Sequence, residues 1–168
     1  MLRLMRNEAL RHRNAILMTH AHPDHASGLK TGASCPVYAT AETWSRIHTG
    51  PIASKVVIQA RSAFDLFGIG FEAFPVEHSI RAPAVGYRIT SGGRNVFYVP
   101  DLVRIRNQSE ALRGIDAYIG DGASIMRGIL RRRGKTVIGH CSIRTQRLHG
   151  AAKKASATRS SRTAARRL

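Results

Sequence analysis

The chain has 168 residues, 43% of them hydrophobic, which suffices for one domain with a real core and makes a second domain unlikely on length alone. Its 27 Lys and Arg against 10 Asp and Glu, a formal charge of +17, predict attraction to polyanions such as RNA, DNA or phosphorylated metabolites. Two cysteines, Cys35 and Cys141, exclude a disulfide framework and suit a reducing compartment. The sequence shows neither a run approaching a membrane span nor a secretory leader, so a cytoplasmic protein with no membrane partner is expected.

In chain order, residues 1–14 are basic, and Leu2, Met5 and Leu10 suggest one apolar side of a helix that carries no nameable chemistry. Residues 16–19 read as a short buried strand, and His20, His22, Asp24 and His25 follow within six positions. In extended backbone, residues two apart project to the same side, so His20, His22 and Asp24 can converge. Pro23 keeps Ala21 and His22 out of a helix, and His25 falls where the next helix begins. A satisfied core histidine is the better reading of any one of these imidazoles alone. It is a poor reading of four potential ligands placed directly after an apolar strand. Three imidazoles and a carboxylate exceed what one tetrahedral zinc takes once ligands arrive from elsewhere, so two neighbouring ions are expected.

A helical turn is predicted over 26–30, with its N-terminus toward the metals, and 31–34 break it. Residues 36–40 read as a strand and 41–48 as a short helix ending on His48, a surface residue rather than a ligand. Residues 56–60 are β-prone. From Phe64 to Ser79 the pattern alternates through a glycine turn and ends at His78, as the first strand ends at His20. Residues 85–89 and 95–99, joined by S-G-G-R, form a hairpin; Pro100 stops it and Asp101 follows.

A short helix is expected over 110–114, a strand and turn over 116–122, and a basic helix over 124–133. The Arg131–Arg133 run suits a solvated helix end as readily as a phosphate site. Residues 136–140 form an apolar strand that ends on His140, and Cys141 after it reads first as a small packed residue. Asp121 and Glu77 could brace ligands, and each could equally be an ordinary turn residue. Residues 151–168, basic and without an acid, are expected to be a disordered tail, with nucleic-acid binding and a non-functional extension equally weighted. A strand followed by a ligand recurs at His20, His78, Asp101 and His140, which implies a fold that collects ligands along one edge of packed sheets.

The run H-A-H-P-D-H from His20 to His25, followed in order by His78, Asp101 and His140, resembles the HxHxDH pattern of the metallo-β-lactamase-fold hydrolases. The wording around His78 and Tyr87, P-V-E-H-S and then A-P-A-V-G-Y-R-I, is most similar to the branch of tRNA 3′-processing endonucleases and cyclic phosphodiesterases of phosphonate breakdown. The resemblance implies an α/β (α+β) fold, a four-layer αββα sandwich, in a hydrolase domain over residues 1–150 with the tail behind it. Members usually carry further strands ahead of the motif, so an N-terminally shortened member, with its first strands missing or shortened, is expected. The resemblance also implies two Zn2+ ions, with Mn2+ or Fe2+ as alternatives. His20, His22 and His78 would hold one ion, Asp24, His25 and His140 the other, with Asp101 bridging and Asp24 and Asp101 as the catalytic carboxylates.

Two such ions, two carboxylates and one bridging hydroxide leave a charge of about +1, which suits a phosphodiester. Hydrolysis of a cyclic or nucleotidic phosphate, or of RNA, by a metal-bridging hydroxide is therefore the expected function. A thioester or lactam hydrolase on the same ligands and a catalytically silent, basic nucleic-acid-binding remnant are the competing readings. A small phosphodiester or RNA is the expected partner, and a homodimer is compatible with the sequence.

Overall fold

The computed structural model describes residues 14–146. The helix expected over 1–14, apart from Asn14, and the basic tail over 151–168 lie outside the described residues. The first sheet is wholly parallel and ordered β1 (Ile16–Leu17), β2 (Ala33–Thr40), β3 (Ile52–Ile58). Crossovers on one face link its strands: α1 (Pro23–Ala26) with a 3-10 turn (Ser27–Thr31), and α2 (Ala41–Trp44). Thr40 caps α2 by accepting a hydrogen bond from Thr43 N at 3.3 Å. Met18, Leu29, Val37 and Ala39 pack between this sheet and its helices, with Trp44 and Ile47 at the margin. The helix predicted over 41–48 is thus one turn shorter, and the strand predicted over 56–60 lies earlier, at Ile52–Ile58.

The second sheet runs β4 (Ala63–Leu66), β5 (Ile69–Glu77), β6 (Ala84–Ser91), β7 (Arg94–Tyr98) and β9 (Ala117–Ile119). The short β8 (Arg104–Ile105) pairs with the last residues of β5. The hairpin β6–β7 turns on Gly92 and Gly93, both at positive φ, as a two-residue loop matched to strand twist requires. Alternation along β6 divides the core. Val85 and Tyr87 meet Ile58, Leu17 and Tyr38 of the first sheet, so the two sheets pack face to face. Ala84 turns the other way, toward Phe74, Phe97, Val99 and the Ala111 end of α3 (Gln108–Ala111). Phe74 and Phe97 meet edge-on with ring centroids 6.0 Å apart, both fully buried. Gly86 makes the room, since a Cβ there would lie 2.8 Å from the Phe97 ring. The layer order is therefore helix, sheet, sheet, helix, as the resemblance implied, with thin outer layers.

The last pair, β10 (Ile129–Arg133) and β11 (Thr136–His140), is an antiparallel hairpin of its own. It overturns the basic helix predicted over 124–133. Arginine and leucine are good helix formers, but intrinsic propensity amounts to only tenths of a kcal/mol per residue, and pairing with the apolar strand at 136–140 outweighs it. Among the described residues, no helix is long and apolar enough to cross a membrane.

Candidate metal centre

The candidate ligands lie at or just beyond strand ends, where the backbone leaves the ladder and side chains turn into the space above the sheets. Met18 N donates to Tyr38 O at 2.9 Å and the Tyr87 hydroxyl donates to Met18 O at 2.8 Å, which pins the chain ahead of His20. His22 is extended (φ −64°, ψ 146°) and precedes Pro23, the first residue of α1. The helical turn therefore starts at Pro23 rather than at residue 26, and Asp24 and His25 fall in its first turn.

Asp101 occupies the centre. Its Oδ2 lies 3.1 Å from His20 Nε2, 3.1 Å from His25 Nε2 and 3.5 Å from His78 Nε2, and its Oδ1 lies 3.7 Å from His140 Nδ1. His78 Nε2 is 3.0 Å from His22 Nδ1, and Asp24 Oδ2 is 3.4 Å from His25 Nε2. All seven residues singled out in the sequence thus meet in one region. With Asp121 as an eighth, they form three groups, each with ligand atoms within 4.8 Å of one another: His20, His22, His78 and Asp101; Asp24, His25 and Asp101; Asp101, Asp121 and His140. The first group is the implied set for one ion together with the bridging carboxylate. The implied second set is divided, because His140 turns its Nδ1 to Asp121 Oδ2 at 2.8 Å, which leaves Nε2 as the nitrogen it can offer.

The donor set fits a divalent ion. His20 Nε2 is fully buried and faces Asp101 Oδ2 at 3.1 Å in a geometry that makes no regular hydrogen bond. A ring nitrogen in that position is costly unless something binds its lone pair. Burial, and then mutual repulsion with His78, lowers the pKa of His22; burial likewise lowers that of His78 against the pull of Gly139 O and Asp101. Neutral imidazole is the form that ligates metal. Burial pushes the Asp101 carboxyl up, but His20, His25 and His78 outweigh it and hold it down at about 2. Nitrogen and oxygen donors without a thiolate suit zinc. Cys141 stays outside the set: burial, and then Asp121, pushes its thiol up to about 11, so it is a packed residue as expected.

The shifts of His22, His78 and Asp101 share one sign. Between their lowered pKa and 6.5, folded His22 and His78 bind fewer protons than the unfolded chain, so stability rises with pH there. Metal-free protein is therefore expected to lose stability as pH falls below 6.5, and to lose more between 3.8 and about 2 as Asp101 titrates. Urea midpoints measured across pH check this, and a midpoint that rises on acidification contradicts it.

Of the two acids left open by the sequence, Asp121 braces the cluster and Glu77 does not. Asp121 is buried and accepts from Leu102 N (2.9 Å), Ala123 N (2.8 Å) and the His140 ring, while Gln146 holds its backbone carbonyl. Leu102, next to Asp101, is gripped from both sides, because its carbonyl takes a hydrogen bond from Cys141 N. Glu77 instead pairs with Arg104 at 2.8 Å, away from the ligands. His48 is exposed and belongs to none of the three groups. Asp121→Asn is expected to weaken zinc affinity roughly 10- to 100-fold by loosening the His140 ring while the fold persists. Competition against a fluorescent chelator measures it.

Three contributors escaped the sequence reading. Thr19 Oγ1 lies 3.1 Å from His20 Nδ1, and Ser79 Oγ lies 3.2 Å from His22 Nε2. Gly139 clasps His78 twice, its N donating to His78 O and its carbonyl lying 2.8 Å from His78 Nδ1. Adjacency to a ligand was the sole signal for each.

The four-layer sandwich with its ligands gathered at the strand ends is the metallo-β-lactamase fold. The family described as the Beta-lactamase superfamily domain matches residues 2–164, and the chain belongs to it. Among solved structures it is similar to Zn2+-bound PqqB from Methylobacterium extorquens (20% identity, TM-score 0.53, covering 68% of this chain and 47% of that one). It is also similar to the metallo-β-lactamase fold protein YhfI from Bacillus subtilis (14%, 0.55, 77% and 55%). A diphosphatase of the PhnP family is a third (22%, 0.56, 89% and 59%). At these identities the likeness concerns the fold, and the chain spans 47–59% of the length of these proteins. No curated protein matches the chain.

Proposed function

We propose that the protein is a zinc-dependent hydrolase of phosphodiesters. The observation that carries this reading is the Asp101 carboxylate ringed by His20, His25, His78 and His140 within 3.7 Å. His20, His22 and His78 would hold one ion with Asp101. Asp24, His25 and the free Nε2 of His140 would hold a second beside the same carboxylate. Divalent ions bound there supply Lewis acidity and water that deprotonates near neutral pH. The residues themselves provide the rest. Thr19, Ser79 and Gly139 fix the ring orientations, and Asp121 keeps the His140 Nδ1 proton so that Nε2 stays bare. Anionic substrate is favoured by the formal charge of +17, and two of the similar structures are described as Zn2+-bound and as a diphosphatase.

Elemental analysis of purified protein, combined with turnover of bis-p-nitrophenyl phosphate and of a thioester, tests the reading. About two zincs per chain with phosphodiester turnover alone is the expected result. Thioester turnover alone would replace the substrate class. Protein that holds no metal yet binds RNA with steep salt dependence would be a binding module and no enzyme.

A further inference from the structure

After Asp121 the sequence contains no Asp or Glu to its end, yet that stretch holds nearly half of the 27 Lys and Arg. All ten acids therefore precede the last ligand, His140, in sequence, and His140 itself sits within the cationic stretch. The described part of that stretch is largely the β10–β11 hairpin, in which Ile129–Arg133 are all exposed and which pairs with no other described strand.

The strand assignment changes what the arginines can do. On a frayed helix end they would point in three directions, whereas on β10 Arg131 lies opposite Ile138 and Arg133 opposite Thr136. Directly opposed residues of an antiparallel pair project to the same face. Thr136, Val137 and Ile138 all line a groove of about 460 Å³ that reaches His78 and Ser79 of the metal cluster, with Ile80 and Arg106 along it, and His140, opposite Ile129, shares the face of Arg131 and Arg133. Glu42 and Glu77 also line it, and Glu77 is already paired with Arg104 and Arg106.

Spacing decides between a small substrate and a long one. Ile129 pairs with His140, and Arg131 and Arg133 follow at two and four residues, about 7 and 14 Å further along the strand. A small phosphodiester held at the cluster does not extend that far. Successive phosphates of a polymer do.

We propose that the β10–β11 hairpin and the groove beside it seat a single-stranded nucleic acid, with Arg131 and Arg133 taking backbone phosphates that flank the one presented to the metal cluster. This rests on the phosphodiesterase reading above and narrows its substrate to a polymer.

The test uses the full chain and a short fluorescein-labelled oligouridylate, followed by anisotropy over a range of salt concentrations. Arg131→Ala/Arg133→Ala is expected to weaken binding about tenfold or more at low salt. It is also expected to flatten the log–log salt slope by about 1.4, two phosphates at about 0.7 each on a single strand. Arg131→Lys/Arg133→Lys keeps the charge and is expected to retain most of the slope. Arg94→Ala/Lys55→Ala removes equal charge from β7 and β3, and is expected to change neither quantity. Unchanged binding in the first variant, or an equal loss in the Arg94/Lys55 variant, overturns the proposal, because the attraction would then be independent of the hairpin. Failure of the phosphodiesterase reading registers separately, as wild-type protein that neither holds zinc nor turns over bis-p-nitrophenyl phosphate.

Discussion

Asp101→Ala is expected to reduce phosphodiester turnover by at least about 10²- to 10³-fold and to drop bound zinc from about two per chain to one or fewer. Asp101 is the single residue shared by all three ligand groups. Its oxygens lie within 3.7 Å of four different imidazoles, so no neighbour can take over its position. Its carboxyl, held at about 2 by those histidines, is ionised at any pH at which the protein would work. On the dinuclear reading proposed above, removing it would take away the anion that would let two cations lie close together. Asp101→Asn, which preserves shape but not charge, is expected to fall with it. Elemental analysis and kcat measured on both variants decide the matter, and a variant that retains two zincs and wild-type kcat refutes the central role of the carboxylate.

Gly139→Ala is expected to cost about 3 kcal/mol or more in stability and to reduce zinc affinity at the same time. Gly139 sits at φ +122°, a conformation that costs an L-residue about 1–3 kcal/mol. A Cβ there would also fall 1.9 Å from Ile129 O, a backbone atom that cannot move without breaking the β10–β11 register. The displacement passes straight to the cluster, because the Gly139 amide and carbonyl hold His78 and the next residue is His140. Urea unfolding of metal-free protein reads the first effect and chelator competition the second. A variant of wild-type stability would mean that the turn relaxes where the geometry says it cannot.

The parts of this architecture that were legible in the sequence are those written locally. H-A-H-P-D-H packs four donors into one turn of chain, and Pro23 announces where extended backbone gives way to helix. His78, Asp101 and His140 were legible as single residues closing apolar strands, and their order matched a family pattern. Pairing across distance was not legible. Ser79 meets His22 from 57 positions away and Gly139 meets His78 from 61, and neither contact leaves a periodic trace. Asp121 and Glu77 looked alike as acids near strand ends. What separates them is that β8 brings Arg104 to Glu77, whereas Asp121 is covered and faces amides and an imidazole. The misread helix over 124–133 has the same origin. Its strand character comes from a partner that lies beyond a tight turn, and three consecutive arginines hide any alternation.

The double grip on Leu102 has a mechanical result. Its amide is tied to the loop of Asp121 and its carbonyl to the segment that follows His140, so three connections that are distant in sequence share one knot beside the central carboxylate. A strand of polymer seated on the hairpin as proposed would therefore load the Asp101 carboxylate through the backbone, and tension applied at the arginines would reach the ligand cluster.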